Sequence, residues 1–437
     1  MKRWKLLVLG ACCLPLQPAW AINWLMLQSV EPVGTDATPK LWGFAQIEYQ
    51  NDTSDPNATG GYIPSKLLAP EFRTQKAFNV SRVRVGVRGR VPDNDAINYF
   101  LLTEFGNNAV TYASGRQTFL TDASVTFNHI PHARVRTGLF KTPSSEEGLL
   151  GVYAMDYIEF SNMANFLLLE RPPNVTYTAN SPPADPQATG ANLNGFTQPV
   201  AGFRDVGVQV FDAIVNGNVE ITYAAMMGNG NGLNMTDNDT NKDLYGYLAL
   251  ENIFGGQGTA RESGKVWLWV QDGKRTFDGD NNGYNDEYDR DRRGIGAQWR
   301  KKPFRATFEY TKADGMVFLG PDKPSFDLDG STLTAVGDGT RGKGNGWYLE
   351  GGWRIRQTSW ELDARYDLLT LLEDDTDELE FKSYTLGVQY FFTPKVRFTV
   401  NATERDWTAT KFDPGASFNG NLDGVGRKYA AQVTVVF

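Results

Sequence analysis

The 437-residue chain has two cysteines, Cys12 and Cys13, two histidines, His129 and His132, and no long apolar run beyond its N-terminus. Both cysteines lie in a segment that opens with Lys2, Arg3 and Lys5, continues through the apolar stretch Leu6 to Leu16 and ends at Ala19-Trp20-Ala21. That is the form of a secretory signal peptide with an A-x-A cleavage site, and it predicts a signal over residues 1–21. Leu9-Gly10-Ala11-Cys12 has the form of a lipoprotein signal, but cleavage there leaves an h-region of only a few residues. After cleavage at Ala21 no cysteine remains, which excludes a disulfide framework, a thiolate nucleophile and a Cys-ligated metal.

The histidines flank Pro131 in a predicted short turn. A hydrolytic site needs a base to activate its nucleophile or water, so the chain reads as a protein without a catalytic step. The formal charge of −8 becomes −11 once the three basic and no acidic residues of the signal are removed, which argues against a nucleic-acid partner. After residue 21 no stretch approaches the roughly 18 to 20 apolar residues of a membrane helix. If the chain crosses a membrane it must do so as a closed barrel, because only helices and closed barrels satisfy their backbone groups in lipid.

Segments of alternating polarity fit that option, and they recur from Lys40 to Phe437. Sixteen are predicted. The first eight are Lys40 to Gln50, Phe78 to Val91, Ile97 to Gly106, Gln117 to His129, Arg134 to Lys141, Phe203 to Asp212, Asn218 to Met227 and Asp243 to Ile253. The others are Gly264 to Arg275, Arg293 to Lys301, Phe304 to Lys312, Trp347 to Gln357, Ser359 to Leu368, Phe381 to Phe391, Lys395 to Glu404 and Arg427 to Phe437. Short turns alternate with long Gly/Asp/Asn-rich loops, the pattern of an up-and-down transmembrane β-barrel over residues 40–437. Residues 22–39 are then a periplasmic lead-in whose apolar part, Ile22 to Val30, could also dock on a neighbour.

The run Ser81 to Val91 places Val83, Val85, Val87 and Val91 on one face and Arg82, Arg84, Arg88 and Arg90 on the other. An arginine on the lipid side near the midplane costs about 2–4 kcal/mol, so the file points into the lumen. The same parity turns Arg134, Arg136, Arg305, Arg354, Arg356 and Arg397 inward, together with Glu48, Glu104, Asp122, Glu220, Glu309, Glu350, Glu361 and Asp363. Lumenal Arg and Glu can simply brace the wall by pairing. A file of like charges can instead recruit anions and pass them along.

The stretch FNVSRVRVGVRGRVPDNDAINYFLLTEFG, followed by LTDASVTFNHIPHARVRTGLFKTPSSEEGLL, resembles the phosphate-selective porin O/P family of Gram-negative outer membranes. The features that carry the likeness are the basic strand, the Gly138, Phe140, Lys141 and Pro143 ending of a later strand, and Glu146-Glu147 at the start of a long loop, within residues 78–175. The resemblance implies a sixteen-stranded, usually trimeric barrel in lipid and lipopolysaccharide, constricted by an inward-folded third loop, that passes small anions such as phosphate. It assigns the anion path to Arg82, Arg84, Arg88, Arg134, Arg136 and Lys141. Terminal Phe437, closing an alternating strand, is similar to the assembly signal of such barrels.

Two other readings stand beside this one. The barrel could be a sleeve or scaffold for a partner protein, with little conductance of its own. Asp278, Asp280, Asn282, Tyr284 through its carbonyl, Asp286 and Asp289 have the spacing of a calcium loop, though no helices flank them and Asp replaces the usual final Glu.

Overall fold

The computed structural model describes residues 23–28, 30–31, 37–54, 76–108, 110–111, 118–170, 200–277, 286–317, 342–374, 378–409 and 424–437. Among these are eighteen strands, and sixteen of them close into one antiparallel barrel. The first eight of the barrel are β1 (Lys40–Asp52), β2 (Lys76–Val91), β3 (Asn94–Glu104), β4 (Phe119–Phe127), β5 (Arg134–Lys141), β6 (Arg204–Asn216), β7 (Val219–Gly228) and β8 (Asp243–Gly255). The rest are β9 (Glu262–Asp272), β12 (Asp291–Lys301), β13 (Phe304–Asp314), β14 (Lys343–Arg354), β15 (Trp360–Leu371), β16 (Leu379–Thr393), β17 (Val396–Ala409) and β18 (Lys428–Val436). Each coincides with a predicted segment, in the predicted order.

The strands form because a lipid face and a lumen face alternate along each of them. Leu248, Leu268 and Ile295 lie side by side across β8, β9 and β12, each about half exposed. An exposed apolar band of this kind is unfavourable in water and favourable against hydrocarbon. Aromatic pairs sit near strand ends, Trp360 against Tyr390 at 4.7 Å and Tyr49 against Phe78 at 4.8 Å, where amphipathic rings suit an interface. The seam closes where β1 pairs with β18, Phe44 opposite Val436, and Gly43 and Phe437 exchange backbone hydrogen bonds.

Three details depart from expectation. The segment Gly264 to Arg275 stops at Asp272, and a separate hairpin follows, β10 (Lys274–Phe277) with β11 (Asp286–Asp289). Strand β14 ends at Arg354, which leaves Arg356 exposed in the turn instead of inside the lumen. In β2 the register skips Ser81, so Gln46 faces Arg82 while Ile47 faces Val80. This bulge resets the alternation: Phe78 and Val80 are exposed although they share parity with buried Arg82 and Arg84.

The lumen receives chain from both ends. From the long-loop end, residues 142–170 after β5 turn inward and carry the one-turn helix α2 (Glu146–Leu149). From the short-turn end, residues 23–31 enter with the one-turn helix α1 (Trp24–Leu27). The described part of the expected lead-in, residues 23–31, makes its contacts inside the barrel. Asn23 donates to Glu220 and Thr222 on β7, Arg136 on β5 donates to the Leu25 carbonyl, and Glu31 pairs with Arg88. The physical reason is apolar: Leu25 and Met26 are buried in one cluster with Phe44, Leu149 and Val152. Among the described residues no helix is long and apolar enough to cross a membrane. His129 and His132 lie in the turn between β4 and β5.

Candidate functional site

The third loop is fixed to well-separated parts of the wall, on β5, β13, β15 and β17. Its helix start faces Glu309 on β13, a fully buried carboxylate that accepts from Ser145 Oγ at 2.9 Å, Glu146 N at 3.0 Å, Trp267 Nε1 at 3.1 Å and Tyr348 Oη at 3.2 Å. On the other side Lys141 donates to the carbonyls of Gly148, Leu149 and Leu150 at 2.8, 3.2 and 2.7 Å. Further along the loop Arg397 holds the Met155 carbonyl, Asn401 receives Ile158 N, and Arg365 holds the carbonyls of Glu159 and Phe160. Charged and polar side chains of the wall thus satisfy backbone groups that an irregular segment would otherwise leave open.

The two inserts meet at Trp24, edge-on to Tyr153 with ring centroids 6.2 Å apart. Trp24 also borders two cavities of opposite character. One, about 100 Å3, has Trp42, Phe44 and Phe100 beside Arg84, Arg88, Lys141 and Arg204. The other, about 40 Å3, has Glu146, Glu147, Asp156 and Glu350 beside Arg300 and Arg365. The lumen is therefore basic and aromatic toward β2 and β3, and acidic toward β13 to β15.

Glu147 is a loop residue within the acidic side. Burial raises its carboxyl to about 8, against the lowering influence of Arg365 and of hydrogen bonds from Ser161 N and Oγ. Its neighbour Glu146 is paired with Lys265 at 2.7 Å and accepts from Tyr247 Oη at 2.8 Å.

The six residues expected on the anion path occupy distinct settings. Arg84 is bonded to Glu104 at 2.6 Å, Arg88 is paired with Glu31, and Arg134 with Asp212 at 3.1 Å. Arg82 donates to Gln46 Oε1 at 2.9 Å. Arg136 is fully buried, its guanidinium 4.2 Å from the Phe211 ring centre, and it holds the N-terminal segment. Arg82, Arg136 and Lys141 have no carboxylate partner among the described residues. Arg84, Arg88 and Lys141 come together on the basic cavity, whereas Arg82, Arg134 and Arg136 do not line it. Arg90, the last of the file, pairs with Asp95 beside the turn.

Sequence reasoning missed Trp24, Glu31 and Arg204 as lumen residues. Arg204 faces Asp122 at 3.0 Å and lines the basic cavity. The signal for Trp24 was present: Trp24-Leu-Met-Leu27 is apolar in an exported chain yet too short to anchor in lipid. For the calcium spacing, Asp278, Asp280, Asn282 and Tyr284 lie outside the described residues, while Asp286 and Asp289 fall on β11 opposite Phe277 and Lys274. Among the described residues no group of three or more His, Cys, Asp or Glu is placed to hold a metal.

The family model of phosphate-selective porins O and P matches residues 282–422. That stretch lies apart from residues 78–175, which carry the resemblance, and points to the same family. A search of the curated proteins finds no match. Solved structures share the fold at low identity. OmpF of Salmonella typhi, in complex with daunomycin, gives a TM-score of 0.55 at 12% identity over 91% of this chain and 97% of that one. The anion-selective porin of Comamonas acidovorans gives 0.53 at 13% over 92% and 100%. The trimer form of OmpT, an outer-membrane protein of Vibrio cholerae, gives 0.51 at 12% over 92% and 100%. With the lipid-facing band and the closed sixteen-stranded wall, these likenesses set the chain in the outer membrane with the fold of porin channels.

Proposed function

We propose that this outer-membrane barrel, matched in part by the phosphate-selective porin O and P family, is a passive channel for small anions, without a chemical step, working as a homotrimer. The observation that carries the anion preference is the division of the lumen. Lys141, with no carboxylate partner among the described residues, stands with Arg84, Arg88 and Arg204 on one side, and the carboxylates of the third loop and β14 stand on the other. Across a narrow, partly dehydrated gap such a separation favours an anion along the basic wall. The trimer form of OmpT and the anion-selective Comamonas porin, named above, support the oligomer and the selectivity by likeness of fold.

Reversal potentials in planar bilayers under a salt gradient test this reading. The expected sign is that of anion preference, and cation preference overturns it. A second reading, the filled sleeve, is favoured by the two inserts that meet at Trp24 and Tyr153. It predicts no conductance, together with a stoichiometric partner on purification.

A further inference from the structure

Resting on the anion-channel reading, we propose that the basic cavity bordered by Trp24, Trp42 and Lys141 is a binding site for a small aromatic monocarboxylate. Charge and surface select this class. Four cations line the cavity, and three of them face carboxylates: Arg84 with Glu104, Arg88 with Glu31 and Arg204 with Asp122. Lys141 is bonded only to backbone carbonyls. At least one positive charge is left over, Glu31 being shared between Arg88 and Lys40, which suits an anion of low charge. A more highly charged, fully hydrated oxyanion such as phosphate needs donors on every side, and the rest of this lining is largely apolar.

The apolar part is a box of rings. Trp42 lies 5.8 Å from Phe100 and 6.4 Å from Tyr153, and Phe44 lies 5.3 Å from Tyr153, all tilted or edge-on. These are the arrangements in which a further ring gains most from its neighbours. A space of about 100 Å3 is of the order of one six-membered ring. Two buried donors on the lining, Gln28 Nε2 and Trp42 Nε1, lack an acceptor among the described residues. A carboxylate supplies the acceptor that such donors require.

The test is titration calorimetry on the full detergent-folded protein with benzoate, acetate, cyclohexanecarboxylate and inorganic phosphate. Benzoate is expected to bind about tenfold more tightly than acetate or phosphate, with cyclohexanecarboxylate between them. Trp42→Leu brings benzoate to the level of acetate. Gln28→Leu, on the inserted segment and outside the wall, weakens benzoate and leaves the barrel fold intact. Acetate or phosphate binding as tightly as benzoate overturns the proposal, as do the absence of binding by all four and an unchanged benzoate affinity in both variants. Reversal potentials remain a separate measurement. Anion preference without a benzoate preference removes this site and leaves the channel reading, and benzoate binding without anion preference does the reverse.

Discussion

Ser145, at the cap of the third loop's helix, donates a hydrogen bond across the lumen to Glu309 on β13, 164 positions later in the chain, at 2.9 Å. The same carboxylate receives the Glu146 amide and the side chains of Trp267, Trp269 and Tyr348. Glu309 therefore anchors the start of the loop on β13, while Lys141, Arg365, Arg397 and Asn401 hold the rest. Replacing Glu309 with Leu leaves these buried donors unsatisfied, at a cost of about 1–3 kcal/mol for each that finds no new partner. The expected outcome is a lower unfolding temperature and a larger, noisier single-channel conductance. Unchanged conductance refutes the anchoring role.

Lys141→Glu reverses the charge that carries the anion preference. The ratio of anion to cation permeability is expected to fall about tenfold, equivalent to ~1.4 kcal/mol. Reversal potentials measured in a potassium chloride gradient read this directly.

Selectivity is also expected to depend on pH. Glu147 is neutral below its raised value of about 8 and becomes a carboxylate above it, which adds a negative charge to the acidic side of the lumen. Anion preference should therefore decline as pH rises through about 8. Glu147→Gln holds the side chain neutral throughout, so its reversal potential should change less across that interval than that of the unmodified protein.

Trp24 separates the basic cavity from the acidic one. Trp24→Ala joins them, so single-channel conductance should rise while circular dichroism still reports the same sheet content. A decrease in conductance would mean that the ring props the path open.

The outer surface gives a test of orientation in lipid. Leu248 lies midway along β8 and is about half exposed, beside Leu268. Leu248→Arg should lower folding stability in lipid vesicles by about 2–4 kcal/mol. Refolding titrations in urea measure it, and a neutral effect would move that face out of the hydrocarbon.

Strand number, order and facing were legible because lipid and water impose a two-residue alternation along every strand, and Val83 against Arg84 carries it without reference to any other part of the chain. What each inward charge does was not legible. The partner of Arg88 is Glu31, 57 positions earlier, and Arg136 holds a carbonyl 111 positions away. Such pairings depend on where two inserts cross a closed cylinder, which no local period encodes. The bulge at Ser81 was hidden for a related reason: a skipped residue shows only when the neighbouring strand is there to be counted against.

Barrel closure is affected by the insertion of residues 23–31. The seam joins β1 to β18, the two ends of the folded chain, and meeting across so long a connection is entropically expensive and slow. A hollow cylinder offers little inside to repay that cost. Here Leu25 and Met26, just ahead of β1, pack with Phe44 on β1 and with Leu149 and Val152 from mid-chain. The inserted segment thus gives a membrane cylinder the interior of a soluble protein, and it ties the first strand to the middle of the molecule without the last strand. On this view a chain lacking residues 23–31 would be impaired first in the order and speed of its assembly.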